Sequence, residues 1–259
     1  IETLVNTSYF KSFMNKKNVI IISEKKNNIL YNFAQNNGFK FVKHNAHIGG
    51  RYSVFSEVSM LPAYLMGLVP KNFKKNLKNF LTNRKTLNSS IRQISRLNIK
   101  KSKVLILFNY VPELNDFMFW CQQLLAESLG KNKKGFTPVI SNAPKDHHSL
   151  MQLYLDGPKD KIFYVFSSQV KKKLKLNLNF FGKRSEYLDK KKYQEIKISQ
   201  KNAFIEVLKK NKTPFREIII KKFNEDMLGK LFLLFIIETI IIAESMKINP
   251  FDQPAVERV

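Results

Sequence analysis

The sequence is poor in cysteine and lacks a long uninterrupted apolar run. Cys121 is the one cysteine among 259 residues, so no disulfide forms within the chain and no cysteine cluster binds a metal. The longest apolar stretch, residues 231–243, contains Glu238 and Thr239 and is too short to span a bilayer. No secretory signal is visible either. These absences predict a protein of the reducing cytoplasm that has no membrane anchor.

The chain has few acidic residues, and its formal net charge is +25 with a pI near 10.0. Such a charge indicates a nucleic-acid or membrane partner when it is clustered. Here the lysine runs 171–173, 190–192 and 221–222 are short, and each is typical of a solvated face. Lysine, asparagine and isoleucine are abundant together, as in proteins from AT-rich genomes. We therefore expect neither nucleic acid nor membrane as a partner.

Apolar residues make up 44% of the chain, which is enough for a substantial core. Short β-branched or apolar runs alternate with segments of helical periodicity, and this alternation predicts βαβ units with parallel sheets. Parallel sheets of this kind bind ligands at the carboxyl ends of their strands. The predicted strands are 19–23, 39–43, 103–110, 160–167 and 215–220, and the predicted helices include 28–37, 199–211 and 224–246. Residues 170–196 lack a clear period and predict an extended connection with an exposed edge strand.

An amphipathic helix is predicted over residues 113–129, with Glu127 in its last turn, before Gly130. A carboxylate there meets the negative end of the helix dipole, which disfavours the ionised form. That property suits a general base. A glutamate at a helix end is also commonly just a solvated surface residue, so position alone does not decide between the two interpretations.

Asp146, His147 and His148 follow a predicted turn, with Asp146 placed to cap a helix over residues 147–156. A histidine in that first turn is disfavoured as the imidazolium, so we expect a mostly neutral acid–base group. The alternative is a pair of surface histidines at a helix start.

The segment GGRYS, residues 49–53, lies between a predicted strand and a helix over residues 54–68. Gly49 and Gly50 let the backbone approach a ligand closely, and Arg51 then points into a cleft. The alternative is a glycine turn beside a surface arginine.

Three motifs occur in order: GGRYS at 49–53, ESLGK at 127–131 with KDHHSLMQLYLDGP at 145–158, and NPFDQPAVE at 249–257. Together they resemble the glucose-6-phosphate isomerase family in its short bacterial type, over a carboxyl-terminal fragment. The resemblance implies an α/β fold of two sugar-isomerase (SIS) domains. Each would be a three-layer α/β/α sandwich with a parallel-rich sheet, and the first would be incomplete. We expect residues 1–98 in the first domain, ending in a peripheral helix, and residues 99–259 in the second.

The resemblance also implies roles for individual residues. Glu127 corresponds to the base that moves a proton between two carbons of the sugar, Arg51 to the group that stabilises the enediolate, and His148 to the ring-opening histidine. That histidine reaches the site from the partner subunit, so a homodimer with shared active sites is implied. The implied substrate is a sugar phosphate, glucose 6-phosphate, with no cofactor and no metal. The implied substrate-binding residues are Thr3, Gly50, Gln123 and Gln253.

The sequence departs from the family pattern at its ends. A phosphate-binding loop would precede Ile1, and a catalytic lysine would follow Val259 directly. We therefore expect the fragment alone to lack activity. Glu57 replaces a small residue of the family, and the sequence offers no reason for it.

Two other functions fit parts of the sequence. A non-catalytic SIS module would bind a sugar phosphate without turning it over, and it predicts loss of Glu127 or Arg51, whereas both are present. A basic nucleic-acid binder would use the lysines, but no nucleic-acid-binding motif is visible.

Overall fold

The computed structural model describes residues 2–97, 102–170, 174–177, 183, 187–189 and 191–256. The chain forms two compact units, Ile1–Lys71 and Asn72–Val259.

The first unit contains a two-stranded parallel sheet, paired from Ile20 with Lys40 to Glu24 with His44. The connecting helix begins after Asn28, whose side chain accepts a hydrogen bond from the Tyr31 N–H, and it ends at Gly38 in the left-handed conformation. Both signals are local in the sequence, and the predicted strands and helix are confirmed within one residue. The elements of the first unit are helix α1 (Glu2–Tyr9), strand β1 (Ile20–Glu24), helix α2 (Ile29–Asn37), strand β2 (Lys40–His44) and helix α3 (Glu57–Leu65). Helix α4 (Pro70–Lys74) begins in the first unit and ends in the second.

The second unit is built on a four-stranded sheet in the order β4-β3-β5-β6, and every neighbouring pair is parallel. Its strands are β3 (Val104–Asn109), β4 (Thr137–Asn142), β5 (Lys161–Ser168) and β6 (Phe215–Ile220). Its helices are α5 (Leu77–Thr82), α6 (Arg84–Arg96), α7 (Asn115–Leu129), α8 (Lys145–Ser149), α9 (Met151–Asp156), α10 (Tyr193–Lys210) and α11 (Glu225–Met246).

Helices cover both faces of this sheet because successive residues of a strand point to opposite sides. On one face, Phe108 and Phe163 pack against Phe204 of α10. On the other, Phe235 of α11 lies 5.6 Å from the Phe117 ring of α7 and stacks on Phe166 at 5.9 Å. These two apolar layers confirm the predicted α/β/α architecture with a parallel sheet.

The segment between residues 72 and 97 groups with the second unit, since α5 and α6 both contact α11. The sequence predicts one peripheral helix of the first domain here, whereas the segment forms the separate helices α5 and α6. The division at residues 98 and 99, as a boundary between SIS domains, stays a prediction. Helix α10 begins at Tyr193 instead of residue 199, and much of the predicted extended connection lies outside the described residues.

Helix α11 contains the apolar run noted in the sequence, and Glu238 interrupts it for a structural reason. Glu238 is 1% exposed, and its carboxylate pairs with Arg216 of β6, whose guanidinium lies 5.7 Å from the centre of the Tyr164 ring. Burial raises the pKa of Glu238, and the neighbouring guanidinium opposes that rise. Among the helices of the described residues, none has the length and apolar character that crossing a membrane requires.

Candidate active site

Glu127 lies in the last turn of α7, on a helix anchored by its opposite face. Phe117, Leu124 and Leu125 are buried in the core, whereas Glu127 is half-buried and Gln123 is exposed. The two polar residues are one turn apart, and Gln123 Nε2 donates a hydrogen bond to Glu127 Oε2 over 3.3 Å. The amide thus orients one oxygen of the candidate base.

The chain turns back sharply after α7. The Gly130 N–H donates to the Ala126 carbonyl, and Gly135 has a φ of +100°. A Cβ atom at Gly135 would lie 2.6 Å from the Leu129 carbonyl oxygen, so only glycine fits this return. The turn leads directly into β4.

Lys131 anchors a distant segment beside this turn. Its ammonium donates to the carbonyl oxygens of Asn249 and Asp252, and it lies 2.7 Å from Asp252 Oδ1. Its side chain is only 9% exposed. The hydrogen bond from Lys131 is the main cause that lowers the pKa of Asp252, and the positive charge adds to the effect. The residue after Asp252 is Gln253, so Lys131 determines where that candidate substrate contact lies.

The result is an open groove of about 700 Å³ between the end of α7 and residues 253–256. Three of the residues proposed from sequence, Gln123, Glu127 and Gln253, line it together. They come from distant parts of the sequence but share one space of the second unit. We call this space the Glu127 groove.

The Glu127 groove lies at the amino-terminal edge of the four-stranded sheet. A helix that connects parallel strands must run antiparallel to them, so α7 carries its last turn back to the edge where β4 begins. Glu127 and Gln253 therefore do not lie at the carboxyl ends of the strands, where a ligand is expected from the sequence.

The histidine pair lies at the other edge, just after β4 ends at Asn142. The predicted continuous helix is wrong: α8 ends at Ser149 and α9 begins at Met151. Asp146 is not the N-cap either, because Pro144 holds that position and Asp146 is the second residue of α8, in its first turn.

The carboxylate of Asp146 instead ties α8 to the end of β4. It accepts hydrogen bonds from the Asn142 N–H at 2.7 Å and from the hydroxyls of Ser141 at 2.9 Å and Ser149 at 3.1 Å. Burial by itself would raise the pKa of Asp146, but these hydrogen bonds outweigh it and hold the pKa below its usual value. Asp146 thus has a structural role.

His147 and His148 face different surroundings. The His147 ring packs near Phe108 at 5.5 Å and Phe204 at 5.7 Å, and it shares a hydrogen bond with the Tyr110 hydroxyl. Burial lowers the pKa of His147, which favours the neutral imidazole. His148, the proposed acid–base group, is exposed.

The remaining predicted residues belong to the first unit. Arg51 is only 4% exposed, so its guanidinium is enclosed and lies 5.3 Å from the centre of the Tyr52 ring. Gly50 opens a short 3₁₀ helix, Gly50–Phe55, and a Cβ atom there would meet nothing within 4 Å. That open space is what a close approach to the backbone requires. Thr3 is exposed on α1 and lines a shallow hollow with Asn6 and Thr7.

Proteins with similar sequences align with almost the whole chain. A probable glucose-6-phosphate isomerase of Methanococcus maripaludis is 31% identical over 271 residues, covering 99% of this chain and 60% of that protein. A glucose-6-phosphate isomerase of Methanocaldococcus jannaschii is 32% identical over 273 residues, covering 99% of this chain and 66% of that protein. The chain is a homologue of the glucose-6-phosphate isomerases. It spans slightly less than two thirds of the length of these relatives. No protein-family model matches the chain.

Solved structures share the fold. A hypothetical protein from Thermus thermophilus superposes with a TM-score of 0.85 at 22% identity, covering 98% of this chain and 65% of its own. A glucose-6-phosphate isomerase from Chlamydia trachomatis gives a TM-score of 0.69 at 16% identity, covering 99% of this chain and 54% of its own. These likenesses agree with an SIS-type α/β/α fold.

Sequence reasoning missed the residues that hold the glucose-6-phosphate isomerase motifs in place. Lys131 stands inside the quoted ESLGK motif, but no local signal connects it with Asp252, which is 121 positions away. Glu57 had no explanation, and the structure pairs it with His44 of β2. Both contacts join residues that lie on different elements, which periodicity alone does not bring together.

Proposed function

We propose that the chain is the part of a glucose-6-phosphate isomerase that carries the proton-transferring base. The enzyme interconverts glucose 6-phosphate and fructose 6-phosphate, the aldose and ketose forms of one sugar phosphate. The observation that carries this proposal is the Glu127 groove, where Gln123, Glu127 and Gln253 meet. The homologues named glucose-6-phosphate isomerase support the same substrate.

Glu127 moves the proton in this proposal. Its carboxylate removes the proton from C2 of the open-chain aldose, which leaves a cis-enediolate. The same carboxyl returns the proton to C1 while the hydroxyl proton of O2 passes to O1, which gives the ketose. The hydrogen bond from Gln123 holds Oε2, so the carboxylate approaches the sugar in one orientation. Gln253, placed by the Lys131 contacts, binds the sugar from the opposite wall of the groove.

Arg51 stabilises the enediolate with a charge that it keeps at all working pH values. An interaction of this type lowers a barrier by about 3–4 kcal/mol. Gly50 binds the sugar through its open backbone, and Thr3 contributes a hydroxyl to the phosphate. His148 transfers the ring proton when the cyclic sugar opens.

We propose a homodimer in which His148 serves the partner's site. Two observations support it: His148 is exposed, and it lies at the sheet edge opposite Glu127. The six-residue strand β4 separates these edges by about 20 Å, too far for both side chains to touch one sugar.

A mixed dimer tests the sharing directly. One chain carries Glu127→Gln and the other His148→Asn, and each variant alone is inactive. If the sites are shared, the mixed dimer has one site with both Glu127 and His148 intact, and turnover returns to about half per dimer. If each chain uses its own histidine, no site is intact and mixing restores nothing.

The base is tested by Glu127→Gln in the complete protein. Turnover should fall by at least about 10³-fold while binding of the sugar phosphate is retained. Glu206→Gln, an exposed change of the same chemistry on α10, is the control and should keep full turnover. Retained turnover in Glu127→Gln would overturn the assignment. Sugar-phosphate binding by a wild-type protein without turnover would favour the non-catalytic SIS module.

We further propose that the 259-residue chain alone lacks turnover, because the resemblance assigns a phosphate loop and a lysine to positions outside it. The partial coverage of the relatives supports this. Assaying the chain beside a longer protein that contains it decides the point. The cytoplasm is the proposed compartment, since phosphorylated sugars occur there and Cys121 is a buried free thiol.

A further inference from the structure

The His44 ring faces two hydrogen-bond acceptors. His44 Nδ1 lies 2.5 Å from Glu57 Oε1, and Nε2 lies 3.0 Å from the Ile48 carbonyl oxygen. A carbonyl oxygen and an ionised carboxylate can only accept, so both ring nitrogens carry a hydrogen. This arrangement therefore favours the imidazolium form of His44. The hydrogen bond to Glu57 is the main cause that raises the pKa of His44.

Glu57 is well placed to stay ionised. It lies in the first turn of α3, just after Ser56, whose hydroxyl accepts from the Val58 N–H and caps the helix. The positive end of a helix stabilises a carboxylate there. Hydrogen bonding from its own backbone N–H and from His44 holds the pKa of Glu57 below its usual value.

These contacts enclose the segment that carries Arg51. His44 is the last residue of β2, Ile48 lies in the loop, and Glu57 follows the 3₁₀ helix that begins at Gly50. One ring thus ties together both ends and the middle of residues 44–57. A loop without such contacts samples many conformations. The two hydrogen bonds of the His44 ring therefore reduce the conformational freedom of residues 45–56.

We propose that His44 and Glu57 are positioning residues that hold the Arg51 segment in its working conformation. The inference rests on the proposed role of Arg51 in the isomerisation. The pair acts through the backbone of residues 45–50 and does not touch the sugar. This role explains why a glutamate occupies position 57, which the sequence alone does not explain.

Other charged groups face the ring from the ends of both strands. A hollow of about 410 Å³ at the carboxyl ends of β1 and β2 is lined by the pair and its neighbours. Glu24 at the end of β1 also raises the pKa of His44, and it forms an ion pair with Lys26. The other charged or titratable groups of the hollow are Lys25, Lys43 and His47.

The test uses Glu57→Gln, His44→Gln and the double variant in a complete protein that contains this chain. NMR titration of His44 should show a raised pKa in the wild type and a value near the usual value of about 6.5 in Glu57→Gln. Each single variant should lower kcat at least about tenfold, with KM within about twofold, because Arg51 acts on the enediolate and not on the bound sugar. The double variant should lose no more than either single one.

The pH profile separates positioning from general stability. In the wild type, kcat should fall as the pH rises through the raised pKa of His44, and in Glu57→Gln, where the pair is already broken, this fall should be absent. His47→Gln, which changes an exposed histidine of the same loop, should match the wild type. Unchanged kcat in both single variants, or additive losses in the double one, would overturn the proposal.

Failure of the proposed function looks different. If the wild type has no isomerase turnover, the function is wrong. The NMR titration still tests the pair in that case, because loss of the raised His44 pKa in Glu57→Gln does not depend on activity.

Discussion

Lys131 Nζ lies 2.7 Å from Asp252 Oδ1, and this contact joins the end of α7 to the segment that carries Gln253. The same ammonium is also bonded to the Asn249 and Asp252 carbonyl oxygens. The shape of the Glu127 groove therefore depends on one cation that is almost fully enclosed.

Lys131→Met should loosen the segment that forms one wall of the groove. The loss of the charged donor should lower the free energy of unfolding, because it removes the contacts that hold residues 249–252 beside the end of α7. Hydrogen exchange of the amides of residues 251–256 should quicken, and KM for the sugar phosphate should rise. Lys133→Met, an exposed lysine in the same turn, is the control. Equal exchange in the two variants would contradict this function of Lys131.

Glu238→Ala should be strongly destabilising, since it leaves the Arg216 guanidinium buried without its anion. The expected cost is about 3–5 kcal/mol in urea unfolding. Replacing both partners, with Arg216→Met and Glu238→Leu, should recover most of that loss because no buried charge remains. A double variant as unstable as the single one would mean that the pair itself supplies the stability.

Asp146→Asn should destabilise the protein at neutral pH and have little effect in acid. The folded-state pKa of Asp146 is lower than the unfolded one, so the ionised carboxylate adds stability above the unfolded value. That contribution is lost as the pH falls through the folded pKa. We expect a deficit of about 1–3 kcal/mol at neutral pH that narrows below about pH 4. Urea titrations in neutral and acidic buffer measure it.

His147→Phe should change how stability depends on pH. Burial lowers the folded-state pKa of His147, so below the unfolded value of about 6.5 the unfolded chain binds a proton that the folded chain refuses. The wild type should therefore lose stability between about pH 7 and pH 5, and the variant should lose less. His148→Gln, at the exposed neighbour, should follow the wild type. A variant that declines as steeply as the wild type would show that another group is responsible.

Strand and helix positions were predictable where the signals are local. Asn28 and Gly38 delimit α2, and Asn224 caps α11 by accepting from the Met227 N–H. The start of α10 was missed because its signal is a hydrogen bond between the Lys192 N–H and Glu195, in a lysine-rich stretch that has no apolar period.

The site was predictable in its residues but not in its arrangement. The motifs identified Glu127, Gln123 and Gln253, and the structure brings them together. These residues lie at the amino-terminal edge of the sheet because α7 runs antiparallel to the strands. The order of the motifs along the sequence does not predict that position. The contacts of His44 with Glu57 and of Lys131 with Asp252 are tertiary, so no local pattern in the sequence predicts them.

Cys121 is completely buried on α7, where burial raises the pKa of its thiol. Because the sulfur is buried and its thiol stays protonated, a thiol reagent modifies Cys121 only when α7 separates from its neighbours. The chain has no second cysteine to confuse the signal. Cys121 of the unmodified protein thus reports local opening of the helix that carries Glu127. The rate at which it is labelled gives the frequency of those openings.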